Sequence, residues 1–329
     1  MKHALEANER YDQGNTEAMV HPKIRRMTMS RVPFVSWINS RVRSSPALGR
    51  FALRCLPNAN VHMQLPVLGS LQINLRRNRS FWLRDPLLVE QPMFNALRRL
   101  IHPGDVVYDA GSNIGLYARF IISVSGASKV IAFEPMPDNL ALLRHNIDIG
   151  GIADKVRVFP CALSETDSQE EFQLDDMSSA SATLSRISGG NACQGRRQYG
   201  LAPLTAVVTT RNIDSVVEGE GCPPPDVIKI DVEGAEGLVV SGARRTLLKY
   251  RPRLAIELHG IDCGQAVVPQ LNRLGYHCYG FLVKDGVECY SRVTNEDVAD
   301  LKSQYDLHFL FASCDAADVD RPFMYETIH

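Results

Sequence analysis

The chain has 329 residues, 45% of them hydrophobic and 22% charged. That is the balance of a globular protein with enough chain to bury a sizeable core. Lys plus Arg number 36 and Asp plus Glu 37, for a formal net charge of -1, which excludes the basic excess of a general nucleic-acid binder. The eight cysteines are scattered, with no C-x-x-C pair and no histidine pair at zinc-finger spacing, so they read as reduced thiols rather than zinc ligands. The opening stretch MKHALEANERYDQG is polar and acidic early, unlike a secretory leader. No apolar run is long enough to span a bilayer. These features set the expectation of a cytoplasmic protein without a transmembrane segment.

In chain order, residues 1–80 are expected to form a basic arm followed by a hairpin, and residues 81–329 the main domain. The arm carries Lys23, Arg25, Arg26, Arg31, Arg41 and Arg43, interrupted by Phe34, Val35, Trp37 and Ile38. It is read as a solvated tail or helical cap. Alternation over 61–75 around Leu68-Gly69-Ser70 predicts the hairpin. Apolar residues at helical spacing over 87–101 predict a helix that stops near Pro103-Gly104. From Asp105 a strand–helix rhythm takes over. Strands are predicted at 106–108, 130–133, 156–159, 226–230 and 254–258, and helices at 116–124, 139–147 and 235–248. Closing strands are predicted at 276–283, 287–290 and 308–311. Residues 176–203, rich in Ser and Gly, read as a loop or insertion. Strands alternating with helices predict an α/β fold: a doubly wound, mostly parallel sheet with helices on both faces.

The segment VVYDAGSNIGLY, 106–117, delivers Asp109 from a strand into a Gly-rich turn that opens a helix. Gly111 permits a tight turn and Gly115 a close approach of the helix to the strand. The spacing G-x-x-x-G differs from the G-x-G-x-x-G that cradles a dinucleotide pyrophosphate. It suits S-adenosylmethionine, which has no phosphate: Asp109 can meet its ammonium and the loop amides its carboxylate. IAFEP places Glu134 at the end of the next strand, where a carboxylate can accept from both ribose hydroxyls. The structural alternatives are a turn without a ligand and a helix-start acid.

A second block, DVIKIDVEGAE at 226–236, sets Asp231 at a strand end with Glu233 and Glu236 beyond it. LAIELHG sets Glu257 and His259 at the end of the next strand. Neighbouring strand ends converge, so Asp231, Glu233 and His259 can face one pocket. Transfer of a methyl group to oxygen needs the hydroxyl proton drawn off by a group within hydrogen-bond reach. His259 is the preferred base, with Asp231 orienting the acceptor or the base. Asp231, Glu233, Glu257 and His259 can also hold a hard divalent ion, although the favoured reading has no metal. The alternatives are that the acids cap the next helix, that Glu257 pairs with an arginine, and that His259 is a satisfied strand-end residue. Lys229 reads as a structural ion-pair member.

An ordered series of segments is similar to the FkbM-type branch of class I S-adenosylmethionine-dependent methyltransferases. The segments are VVYDAGSNIGLYARF (106–120), IAFEPMPDNLALLRHN (131–146), CALSE (161–165), RNIDSVV (211–217), DVIKIDVEGAE (226–236) and RPRLAIELHG (251–260). The resemblance covers most of 80–260. It implies a Rossmann-like class I fold, S-adenosylmethionine as cofactor, and O-methylation of a sugar or polyketide-like natural product. It also implies a small-molecule or glycan acceptor rather than a nucleic acid. Asp109, Gly111, Asn113, Gly115 and Glu134 fall on cofactor-holding positions. Ala162, Leu163 and Ser164 fall where adenine is contacted, and Asp231 near the transferring methyl. Ala110 and Ser112 depart from the commoner loop wording, and 178–200 looks longer than the usual connection, as a lid or a plain loop would be. The competing functions are a nicotinamide-dependent oxidoreductase and a non-catalytic cofactor-binding module.

Overall fold

A computed structural model describes residues 56–83, 86–175, 181–187, 193–197, 200–284, 287–303 and 306–320. The basic arm at 1–55 and parts of 178–200 (178–180, 188–192 and 198–199) lie outside the described residues. The alternating run after the arm forms β1 (Asn60–Leu65) and β2 (Gly69–Asn74), an antiparallel hairpin with Leu65 opposite Gly69. Leu65, Leu68, Leu71 and Ile73 turn inward and join the core, with β2 against the helix Pro137–Ile149. The hairpin thus packs into the body of the domain. Asn146, fully buried on the helix Pro137–Ile149, ties it there. Its Oδ1 accepts from the Gln72 amide at 2.6 Å, and its Nδ2 donates to the carbonyls of Gln72 (2.9 Å) and Ile114 (2.8 Å).

The predicted rhythm yields β3 (Val106–Ala110), β4 (Lys129–Phe133) and β5 (Val156–Phe159), then β10 (Val227–Ile230) and β11 (Arg253–Glu257), all parallel. Between β5 and β10 the chain builds β6 (Ala162–Leu163), β7 (Ser168–Leu174), β8 (Thr183–Leu184) and β9 (Leu204–Arg211). After β11 come β12 (His277–Lys284), β13 (Val287–Arg292) and β14 (Leu307–Ser313). The main sheet runs β13-β12-β14-β11-β10-β3-β4-β5, with β14 antiparallel between β11 and β12. This is the doubly wound class I methyltransferase sheet that was expected. Its two faces follow from strand alternation. Val107, Val130, Val227 and Ala255 pack under the hairpin and the helices Gln91–Leu100, Leu116–Ser123 and Pro137–Ile149. Tyr108, Ile131, Ile228 and Leu254 pack under helices Ile213–Gly219, Glu236–Ser241, Arg244–Tyr250 and Ile261–Arg273.

Three features depart from expectation. The helix predicted at 235–248 is broken in two at Gly242. A Cβ there would lie 2.2 Å from the Ser164 carbonyl oxygen, and the Asp214 carboxylate accepts from the Arg245 and Thr246 amides to start the second segment. A second sheet, ordered β6-β9-β7-β8, was not predicted; only its strand β8 falls within the 176–203 region read as a loop. The helix Ile261–Arg273, which holds both Gly264 and Pro269, was not anticipated. Among the described residues no helix is long and apolar enough to cross a membrane, and the described cysteines are free.

Asn146→Ala removes three buried backbone partners, and a loss of about 2–4 kcal/mol is expected. Urea unfolding measures it, and a loss below about 1 kcal/mol would show that the hairpin is held by apolar packing alone.

Candidate active site

The sheet changes winding direction between β3 and β10, and the crevice of such a fold opens at the C-terminal strand ends beside that point. A cleft of about 620 Å³, mouth included, lies there, walled by Gly111, Asn113, Glu134, Met136, Asp231 and Glu233. The small sheet closes its other side with Ala162, Leu163, Phe172 and Leu184.

The turn after β3 is held left-handed, with Gly111 at φ 79°, Asn113 at 49° and Gly115 at 88°. A Cβ on Gly111 would sit 1.9 Å from the Asp231 carbonyl oxygen, so only glycine lets the turn lie against the end of β10. Gly115 caps the helix Leu116–Ser123, and a Cβ there would meet Leu143 at 2.8 Å. Gly115 therefore shapes the loop without lining the cleft.

Glu134 ends β4 and is only 4% exposed. Its Oε2 accepts from the Asn113 amide at 2.9 Å and its Oε1 from the Met136 amide at 2.8 Å. Asn139 Nδ2 stands 3.4 Å from Oε1. Burial pushes this carboxyl up to about 7, against the pull of those amides and of Lys229. The carboxylate is held by the Gly loop and by the start of the helix Pro137–Ile149.

Asp109 and Ser164 are placed otherwise than expected. Asp109 is fully buried and does not line the cleft; Lys229 Nζ lies 3.2 Å from its Oδ1. The two residues are register partners on β3 and β10 and share a sheet face. Asp109 thus anchors the floor of the cleft. Ser164 is likewise buried outside the cleft, where its hydroxyl accepts from Arg186 at 2.7 Å.

Lys229, left without a site role by the sequence reading, is the centre of the floor. It has no exposed surface, lies 3.3 Å from Asp231 Oδ2, and donates to the Gly111 carbonyl at 3.1 Å. Its ammonium also sits 4.5 Å above the Tyr117 ring. Burial pulls its pKa down, but Asp109 and Asp231 outweigh that and hold the ammonium above the ordinary lysine range. Tyr117 in turn donates to Glu90 at 2.6 Å. Burial, reinforced by Glu257, pushes the Glu90 carboxyl up to about 7. No motif marks Glu90, which precedes the helix Gln91–Leu100 and reaches the site only through packing.

Beyond β10 the chain turns sharply, with Glu233 at φ 54° and Gly234 at 108°. The turn brings Glu233 and Glu236 back over the strand ends, toward His259 beyond β11. His259 Nδ1 lies 2.8 Å from Glu236 Oε1. Its Nε2 faces Glu233 at 3.5 Å, Glu257 at 3.6 Å and Asp231 at 3.7 Å. Burial works against a charged ring, but Glu233, Glu236 and Glu257 outweigh it and hold the imidazole proton well above the usual histidine range. Burial and the neighbouring acids hold the Glu233 carboxyl above its usual range. The convergence of Asp231, Glu233 and His259 was legible in the strand ends. His259, however, is 5% exposed and absent from the cleft wall, so it stands behind the two acids that reach the cleft.

Lys229→Met would leave Asp109 and Asp231 without their shared cation, at an expected cost of about 3–5 kcal/mol. Thermal and urea unfolding measure it. A cost below about 1 kcal/mol would mean that the two acids are screened as surface groups are.

The family described as the methyltransferase FkbM domain matches residues 109–278, just over half of the chain. The chain is 30% identical over 157 residues to the 2-O-methyltransferase NoeI of Sinorhizobium fredii, covering 45% of this chain and 61% of NoeI. It is 29% identical over 182 residues to the hexuronic acid methyltransferase AglP of Haloferax volcanii, covering 55% and 67%. The curated relatives are spanned only in part, from 9% to 68% of their own length. A crystal structure of methyltransferase FkbM from Methylobacillus flagellatus KT is similar at 15% identity and a TM-score of 0.38, over 69% of this chain and 59% of that one. The matched segment runs from Asp109 through Glu134, Lys229, Asp231 and His259 to the second strand beyond the cleft, and on this match the chain belongs to the FkbM methyltransferase domain family.

Proposed function

We propose that the protein is an S-adenosylmethionine-dependent O-methyltransferase acting on a hydroxyl group of a sugar or natural-product acceptor. The observation that carries this is the clamp on Glu134: a buried carboxylate at the cleft rim, aimed by the Asn113 and Met136 amides. Such a group suits the paired hydroxyls of a ribose. Ala162 and Leu163 supply an apolar wall suited to adenine. The family speaks for methyl transfer over the nicotinamide alternative. The names 2-O-methyltransferase and hexuronic acid methyltransferase, borne by relatives, favour a carbohydrate hydroxyl.

The cofactor would supply a sulfonium methyl group: its C–S bond breaks as the acceptor O–C bond forms, and the electron pair stays on sulfur. The chain's part is to hold the acceptor in line and receive its proton. Asp231 and Glu233 are the cluster acids that reach the cleft. Asp231 is fixed by Lys229 and orients the acceptor. Glu233 Oε2 accepts no hydrogen bond and is the proton acceptor. His259 is a positioning residue, held by Glu236 and balancing the charge of the acids.

Calorimetric titration tests the cofactor reading: S-adenosylmethionine binds and NAD does not, and the reverse result would end the proposal. Glu134→Ala is expected to weaken binding by about 1–3 kcal/mol; unchanged affinity would remove the ribose role.

Ionised Glu134 is the form that accepts two hydrogen bonds. Because burial raises its carboxyl to about 7, affinity should fall as pH drops through that value and level off above it. Glu134→Gln should flatten the profile, and a flat wild-type profile would contradict the assignment.

A further inference from the structure

Nε2 of His259 has an unusual setting. The side chain is 3% exposed, and the ring is fixed by Glu236 at Nδ1. Nε2 itself points at three carboxylate oxygens, 3.5 Å from Glu233 Oε2, 3.6 Å from Glu257 Oε1 and 3.7 Å from Asp231 Oδ1. All three lie beyond good hydrogen-bonding range. The buried Glu233 Oε2 has no hydrogen-bond donor at all. The ring therefore aims an unmatched nitrogen into an oxygen-lined gap.

The charges do not balance either. Asp231, Glu233, Glu236 and Glu257 surround one imidazole. Lys229 is already shared with Asp109, and His308 Nε2 lies 3.2 Å from Glu257 Oε1.

We propose that Asp231, Glu257 and His259 bind one divalent transition cation at the acceptor side of the cleft. Their ligand atoms all lie within 4.8 Å of one another. A cation about 2.1 Å from each ligand sets neighbouring ligand atoms about 3.0–3.4 Å apart, so the two carboxylate oxygens, 3.6 and 3.7 Å from His259 Nε2, need close on the ring by only a few tenths of an ångström and on each other by up to about 1.5 Å. Imidazole with carboxylates favours Mn2+ or Zn2+ over Ca2+. Glu236 on Nδ1 is the outer partner that fixes the tautomer and ring orientation of a metal-binding histidine. Glu233 stays outside the ligand set, free to receive a proton.

This deepens the O-methyltransferase reading and rests on it only for its consequence. Asp231 belongs both to this set and to the cleft wall. An acceptor oxygen entering there would meet the cation, which lowers the pKa of a bound hydroxyl.

The test is Mn2+ uptake by the EDTA-stripped full chain, read by electron paramagnetic resonance and by calorimetry. The expected result is one tightly bound equivalent, competed by Zn2+. Glu257→Gln and His259→Gln should each weaken uptake by at least about tenfold, with unfolding midpoints near wild type for the isosteric Glu257→Gln. Glu134→Gln should weaken S-adenosylmethionine binding and leave Mn2+ uptake intact, which separates this site from the cofactor reading. Absence of a stoichiometric equivalent overturns the proposal. So does uptake that survives both Glu257→Gln and His259→Gln, because the ion would then sit elsewhere.

Discussion

The cleft depends on one buried cation. Lys229 lies inside β10 with no solvent contact and bridges Asp109 on β3 to Asp231 at the strand end. An ion taken so far from water costs more than hydrogen bonding alone returns, so the lysine and its two acids hold each other in place. Because Asp109 and Lys229 are register partners, the ion pair also fixes the alignment of the two central strands. The Gly111 turn is pinned on the same spot, through its carbonyl on Lys229 and its α-carbon against Asp231. The floor of the cleft is therefore one ionic and steric unit.

On that floor the two rims have opposite chemistry. The β4 rim carries one acid, Glu134, met by backbone amides and a side-chain amide. It is a rigid acceptor for neutral hydroxyls. The β10 and β11 rim carries four acids around one histidine. It suits proton transfer and cations. The left-handed Glu233 costs on the order of 1 kcal/mol of backbone strain. That strain is where the chain folds the acids back over the strand ends, and such strain is common at functional sites.

Much of the fold was legible because the βα rhythm and the apolar strand cores carry strong periodicity. The second sheet was not. In β7, SQEEFQL, only Phe172 and Leu174 are apolar, so its alternation is drowned by polar residues facing water. β9 had a visible signal in the β-branched run TAVVTT, but pairing with β7 is a long-range event that no local pattern reports. The helix Ile261–Arg273 was masked by Gly264 and Pro269, which read locally as breakers. The break at Gly242 arises from contact with Ser164, far away in sequence.

The sequence by itself determined the strand order's raw material, the Gly loop, the acid after β4 and the acids and histidine after β10 and β11. These are local matters of residue type and spacing. Only the tertiary structure decided their roles. Strand register put Asp109 opposite Lys229 and took it out of the cleft. The left-handed turn at Glu233 and Gly234 brought four carboxylates around His259 and set that residue behind the acids that reach the cleft. Charge, burial and hydrogen-bond supply are properties of what surrounds a side chain, and those surroundings assemble from segments more than a hundred residues apart.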